Sequence, residues 1–188
     1  MATGLQLARV LGAIVLASLP ALAALAQSGG IEWADVDCAQ SRIWPTMGLH
    51  CRTTAELTDD SLSKTRGHFR FWNASGSVED VKYYYYVVEA VNPGKGIVSK
   101  QDVADALRSR SPQARGSFEM SDIRQRQDAD VVSFQSAAQE ACIGIRKLGP
   151  GNPQGTRWVL YATRCVPPGH SVSEADIDAF VRLARLRE

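Results

Sequence analysis

The apolar positions of the chain change period several times, and each change marks an element. Ile177, Phe180, Val181 and Ala184 recur at i, i+3, i+4 and i+7, the stripe of a helix that buries one face. Ser173 stands ahead of them with Asp176 three residues on, the spelling of an amino-terminal capping box. Glu174, Asp176 and Asp178 crowd the start of this helix and Arg182, Arg185 and Arg187 its end, each sign where the helix dipole favours it. Val103, Ala106 and Leu107 repeat the spacing more briefly and predict a helix over residues 99–110. Ser99 with Asp102 is its expected cap, Arg108 and Arg110 fall at its carboxyl end, and Ser111-Pro112 stops it.

Elsewhere the composition is that of strands. Val81 to Val91 reads VKYYYYVVEAV, aromatic and β-branched, and predicts a long strand closed by Asn92-Pro93-Gly94. Phe69-Arg70-Phe71-Trp72 alternates and predicts a shorter strand ending at Asn73-Ala74-Ser75-Gly76; Val131 to Phe134 predicts another. Ala141 to Leu148 and Trp158 to Cys165 are apolar runs on either side of Gly149-Pro150-Gly151-Asn152-Pro153-Gln154-Gly155, and together they predict a hairpin. Residues 31–52, with Trp33 and Trp44, lack a clean period and read as an irregular, partly packed arm. Residues 53–64 read as a polar loop with room for a short helix, and residues 111–130 carry no assignment. Without βαβ alternation a parallel doubly wound sheet is disfavoured. The expectation is one α+β domain over residues 27–188, with no internal repeat. Its core is an antiparallel sheet of about four or five strands, with the internal and the carboxy-terminal helix packed on one face.

Cys38, Cys51, Cys142 and Cys165 fall into two local pairs, and four cysteines allow three connectivities. The spacing favours Cys38–Cys51 and Cys142–Cys165, each closing a loop whose entropy is worth roughly 3 kcal/mol. The second pairing has independent support. With Cys142 opposite Cys165, Ile145 falls opposite Ala162 and Lys147 opposite Leu160, so Ile143, Ile145, Trp158, Leu160 and Ala162 share one face.

Met1 to Ala26 adds an address. Arg9, its only charge, precedes the apolar run Val10 to Leu19; Pro20 breaks that run, and Ala24-Leu25-Ala26 supplies small residues where a signal peptidase reads. Ala21-Leu22-Ala23 is a second cut site, and an uncleaved anchor is the alternative. Export and an even cysteine count point to the same oxidising compartment. The composition, 45% hydrophobic and 22% charged, is that of a globular domain. There are 21 Lys and Arg against 20 Asp and Glu, and removing Arg9 with the leader equalises them. A zero balance carries no long-range field to gather nucleic acid or an anionic membrane.

The candidate chemistry is sparse. Tyr83, Tyr84, Tyr85 and Tyr86 alternate across their strand, one pair packing in the core and the other exposed beside Phe69 or Phe71. Such rings can also grip a sugar or a peptide, which makes the four tyrosines the candidate ligand-binding residues. Lys100, Arg108, Arg110, Arg115, Arg124 and Arg126, set against Asp102, Asp105, Glu119 and Asp122, read as a solvated face. His50 adjoins Cys51 and His170 follows Cys165, but no Cys-x-x-Cys or His-x-x-x-His spacing occurs, so neither a metal nor a cofactor is expected. Glu32, Asp35 and Asp37 form an acidic cluster without calcium-loop spacing. The two glycine-rich stretches, Gly94 to Gly96 and Gly149 to Gly155, read as turns, and no catalytic-serine motif is present. In a eukaryotic secretory route Asn73-Ala74-Ser75 would be a glycosylation acceptor. These observations lead to a periplasmic or secreted, non-enzymatic envelope module that binds a partner protein or a cell-wall glycan. A small exported hydrolase using His50 or His170 is one alternative. An accessory subunit of a larger complex, held by an uncleaved amino-terminal helix, is the other.

Overall fold

A computed structural model describes residues 31–59, 67–92, 95–99, 101–117 and 119–187. The predicted leader, Met1–Ala26, lies outside the described residues, as do Pro93-Gly94 and most of the predicted loop after Asp59. Two successive strand meanders, each followed by a helix, make up the domain. The first carries β1 (Ala34–Val36), β2 (Ile43–Trp44), β3 (His50–Thr53), β4 (Leu57–Thr58), β5 (His68–Val78) and β6 (Val81–Ala90), then α1 (Val103–Arg110). The second carries β7 (Arg124–Arg126), β8 (Ala129–Gln135), β9 (Ala141–Leu148), β10 (Gly151–Asn152), β11 (Gly155–Thr156) and β12 (Trp158–Val166). After it come α2 (Glu174–Leu183) and β13 (Arg185–Leu186).

The main sheet has nine strands, ordered β1-β3-β5-β6-β12-β9-β8-β7 with β4 beside β5, rather than four or five. All its pairings are antiparallel. The surplus lies in β1, β3, β4 and β7, which are two to four residues long and too short to display alternation. The arm expected over residues 31–52 thus supplies an edge of the sheet. Each half runs as a path of four neighbouring strands, β1-β3-β5-β6 and β7-β8-β9-β12, and then a helix, the first half adding β4 beside β5, although no repeat is visible in the residues.

β5 runs on through Asn73-Ala74-Ser75-Gly76, where a turn was expected. Each of these residues pairs with a tyrosine of β6, Asn73 opposite Tyr86 and Gly76 opposite Tyr83, so the ladder overrides local turn propensity. The reversal comes at Glu79 and Asp80, whose φ values of 51° and 63° make a two-residue hairpin between the paired Val78 and Val81. Asn73 is 1% exposed and donates from Nδ2 to the Tyr85 carbonyl at 2.8 Å, which leaves no acceptor for a glycan. The β9–β12 hairpin has the register read from the sequence, with Cys142 opposite Cys165, Ile145 opposite Ala162 and Lys147 opposite Leu160. Both disulfides, Cys38–Cys51 and Cys142–Cys165, are formed, which fits an oxidising compartment.

The helices lie on opposite faces of the sheet rather than together. Ile177, Phe180 and Val181 of α2 pack with Tyr85, Val87, Ile145 and Leu160; Val103, Ala106 and Leu107 of α1 pack with Val88, Val132, Phe134 and Tyr161. The central strands are apolar on both sides, as adjacent Val87 and Val88 show, so each face needs its own cover. Gly144 lets α1 approach β9: a Cβ there would meet Leu107 Cδ1 at 2.4 Å. The α1 cap is Asp102, which accepts from Ala104 N at 2.8 Å, while Ser99 sits with its Oγ 3.2 Å from the Tyr161 hydroxyl. The Ser173–Asp176 capping box of α2 forms as its spelling predicts. No helix among the described residues is long and apolar enough to cross a membrane.

Candidate functional site

The four tyrosines divide between two environments. Tyr83 and Tyr85 stack in parallel, 6.4 Å apart and 2° between planes, and the Phe180 ring packs at 6.4 and 6.1 Å from them. These rings floor a cleft of about 310 Å³. Pro45, Met47 and Leu49 wall it from the β2–β3 connection, Val78 from the β5–β6 turn, and Ala179 and Leu183 from α2. Pairing of β2 with β13 brings that connection beside the carboxyl end of α2. Three large apolar side chains of the cleft stand in solvent: Met47 is 81% exposed, Leu183 54% and Val78 38%.

The polar groups of the cleft are few. Arg164 lies 3.4 Å from Asp176 Oδ1, and its Nη1 has no hydrogen-bond partner among the described residues. Hydrogen bonds from Ser173 hold the Asp176 carboxyl below the usual range, with a smaller contribution from Arg164. Burial raises the Tyr85 phenol, and neighbouring Tyr83 adds to the effect.

On the other side of β6, Tyr86 meets Trp33 at 6.1 Å and Phe71 at 6.0 Å, with the Arg110 guanidinium 5.8 Å from its ring. Tyr84 is 8% exposed. The tyrosine run is therefore not one platform. Tyr83 and Tyr85 belong to the cleft, and Tyr84 and Tyr86 to a surface rich in arginine. The basic residues between 100 and 126 separate as well. Arg108 pairs with Asp105 and both Arg124 and Arg126 with Glu174, Arg110 lies over rings, and Lys100 is outside the described residues.

The other candidates stay apart. His50 Nε2 is 3.1 Å from Asp35 Oδ1, both exposed, and no serine or threonine hydroxyl among the described residues bonds to that imidazole. Cys51 is held in its disulfide, and His170 is exposed elsewhere. Asp37 caps a short turn by accepting from Ala39 N at 2.8 Å, so the acidic cluster does not converge. Glu140, Cys142 and Cys165 have ligand-type atoms within 4.8 Å of one another, but both sulfurs are bonded together and the carboxylate takes Lys82 at 2.5 Å and Ser136 Oγ at 3.0 Å. The loop over residues 149–155 folds into the β10–β11 ribbon, a turn as read. What the sequence did not point to is the wall of the cleft. Leu183, a large apolar residue beside the predicted stripe of α2, is the one signal that stood in view. Comparison with protein-family models, with curated proteins and with solved structures finds no match to this chain.

Proposed function

We propose that the protein is an exported, non-enzymatic module of the cell envelope, periplasmic or secreted, that grips a partner protein by taking its apolar side chains into the cleft beside α2. The observation that carries this is the exposure of Met47, Val78 and Leu183 around a floor of stacked rings. Contiguous exposed apolar surface marks a binding site in a folded domain. A volume of about 310 Å³ lies at the small end of ligand pockets, which run to ~1,000 Å³, and suits one or two large side chains. Apolar walls favour such side chains over a cell-wall glycan, whose hydroxyls would lose their hydrogen bonds there. Export rests on the Met1–Ala26 leader together with the two disulfides.

Selection of displayed peptides on the oxidised protein tests the reading. Peptides carrying paired large apolar residues are expected, with binding lost in Met47→Asp and Leu183→Asp variants that melt like wild type. Equal binding to both variants would overturn it. One observation favours a hydrolase instead, the carboxylate-oriented imidazole of His50. That reading requires activity on an ester or peptide substrate that disappears in His50→Ala. A retained leader would hold the same module at a membrane, which intact-mass measurement of the native protein decides.

A further inference from the structure

The cleft beside α2 holds a charge that its apolar walls do not explain. Arg164 stands opposite Tyr83 in the β6–β12 ladder and lines the cleft, on the face where Leu160 and Ala162 meet Ile177 and Phe180. Only 17% of its side chain is exposed. A guanidinium so placed has left most of its water behind, and its five N–H donors need partners.

The fold supplies almost none. Nη1 is buried without a hydrogen-bond partner, and the Arg164 side chain donates no hydrogen bond to any described residue. Its one polar contact among the described residues is an ion pair, Nη2 to Asp176 Oδ1 at 3.4 Å. Asp176 is engaged elsewhere: its Oδ2 accepts from both the backbone and the hydroxyl of Ser173 in the α2 cap. It also lies in the first turn of α2, where the helix dipole already stabilises a negative charge. The contrast with the other described arginines is sharp. The side chains of Arg115, Arg157, Arg182 and Arg185 also donate no hydrogen bond, but all four are exposed. Every other one that is not exposed donates at least one.

We propose that Arg164 receives the carboxy-terminal carboxylate of the partner protein, while the last large apolar side chain of that partner lies on Tyr83, Tyr85 and Phe180. This rests on the peptide-binding reading of the cleft and names the end of the chain it takes. In a terminal residue the carboxylate and the side chain leave the same Cα, so one residue delivers both an anion and an apolar group. No hydrogen bond fixes the guanidinium fork, so it can turn onto the two carboxylate oxygens, a bidentate match. Capture of a chain terminus by oriented donors is a recurring mode of peptide recognition. A fatty acid carries the same carboxylate, but Met47 and Leu183 stand in solvent at the rim, where an alkyl chain would stay half wetted. A peptide covers that rim with its own backbone.

Two random peptide libraries selected on the full, oxidised protein test this, one displayed with a free carboxyl end, the other with that end fused to a Gly-Ser tail. Sequences ending in a large apolar residue are expected from the first and not from the second. The best of them, synthesised as acid and as amide, should bind about tenfold tighter as the acid, the worth of one charge-assisted hydrogen bond. In Arg164→Gln the two forms should bind alike, at the level of the amide on wild type. That variant removes no hydrogen bond and should fold, and the acid–amide comparison on wild type stands without it. Arg182→Gln, which changes an exposed charge on α2, should keep the full difference. Equal recovery from both libraries, or acid and amide bound alike by wild type and both lost in Met47→Asp, would overturn this inference and leave the apolar cleft standing. Peptides bound equally by Met47→Asp, or no peptides at all, would overturn both. Decanoate binding that Arg164→Gln weakens, with no peptide recovered, would reassign the site to a free fatty acid.

Discussion

On one side of β6 Tyr83 and Tyr85 stack under Phe180 in an apolar cleft; on the other Tyr84 and Tyr86 lie among guanidinium groups. The four are the same residue in one strand, so their own chemistry cannot account for the difference. What covers each face does. The amphipathic stripe of α2 lies along the first face and brings only carbon, apart from Asp176 at its start. The second face receives the end of α1, where the helix dipole favours Arg108 and Arg110, so cations arrive with the element that packs there.

The contrast can be broken from either side. Phe180→Ala removes the ring that both cleft tyrosines contact, and should cost about 3–5 kcal/mol in urea unfolding. A loss below 1 kcal/mol would show that α2 is not part of the core. On the arginine face the strongest lever is alkaline pH. Folded Tyr84 holds its proton above the ordinary value of 10.0, up to about 12, mainly through burial. Its contribution is therefore complete below pH 10 and is lost as pH rises toward 12, about 2–3 kcal/mol in all. Unfolding followed against pH should show this fall together with those of Tyr85 and Tyr86, which burial also raises, and Tyr84→Phe should make the combined fall smaller without abolishing it.

Gly144→Ala tests how closely α1 sits, since the new methyl would meet Leu107. A cost of about 1–3 kcal/mol is expected, vanishing in a Leu107→Ala background. The smallest effect belongs to the cleft rim. Leu183→Ser should change stability by no more than about 0.5 kcal/mol while abolishing peptide binding, which calorimetry and a binding assay resolve separately.

Long-patterned segments were readable from residues alone. The β9–β12 register followed from two apolar runs with a cysteine in each, and α2 from its stripe and capping box. Short edge strands were not, because β1 and β7 carry three residues each and take their form from a neighbour. The turn expected at Asn73 failed for a related reason: β6 supplies a partner for every residue through Val78. Nor could the pattern say that the helices part company, since strands apolar on both sides accept a helix on either. The site was half legible. Tyr83 and Tyr85 stood out by composition, but Met47 comes from a loop without period, and Arg110 meets the Tyr86 ring only once α1 packs on that face.

The seam between β6 and β12 has a consequence for synthesis. Glu89 must wait for Trp158 before that edge of the first meander finds its partner. Until then a nascent chain displays a ten-residue ribbon, greasy above and below, with raw amide and carbonyl groups along one border. A holding chaperone would find its grip there, and a transcript truncated before codon 158 should yield aggregate rather than half a protein.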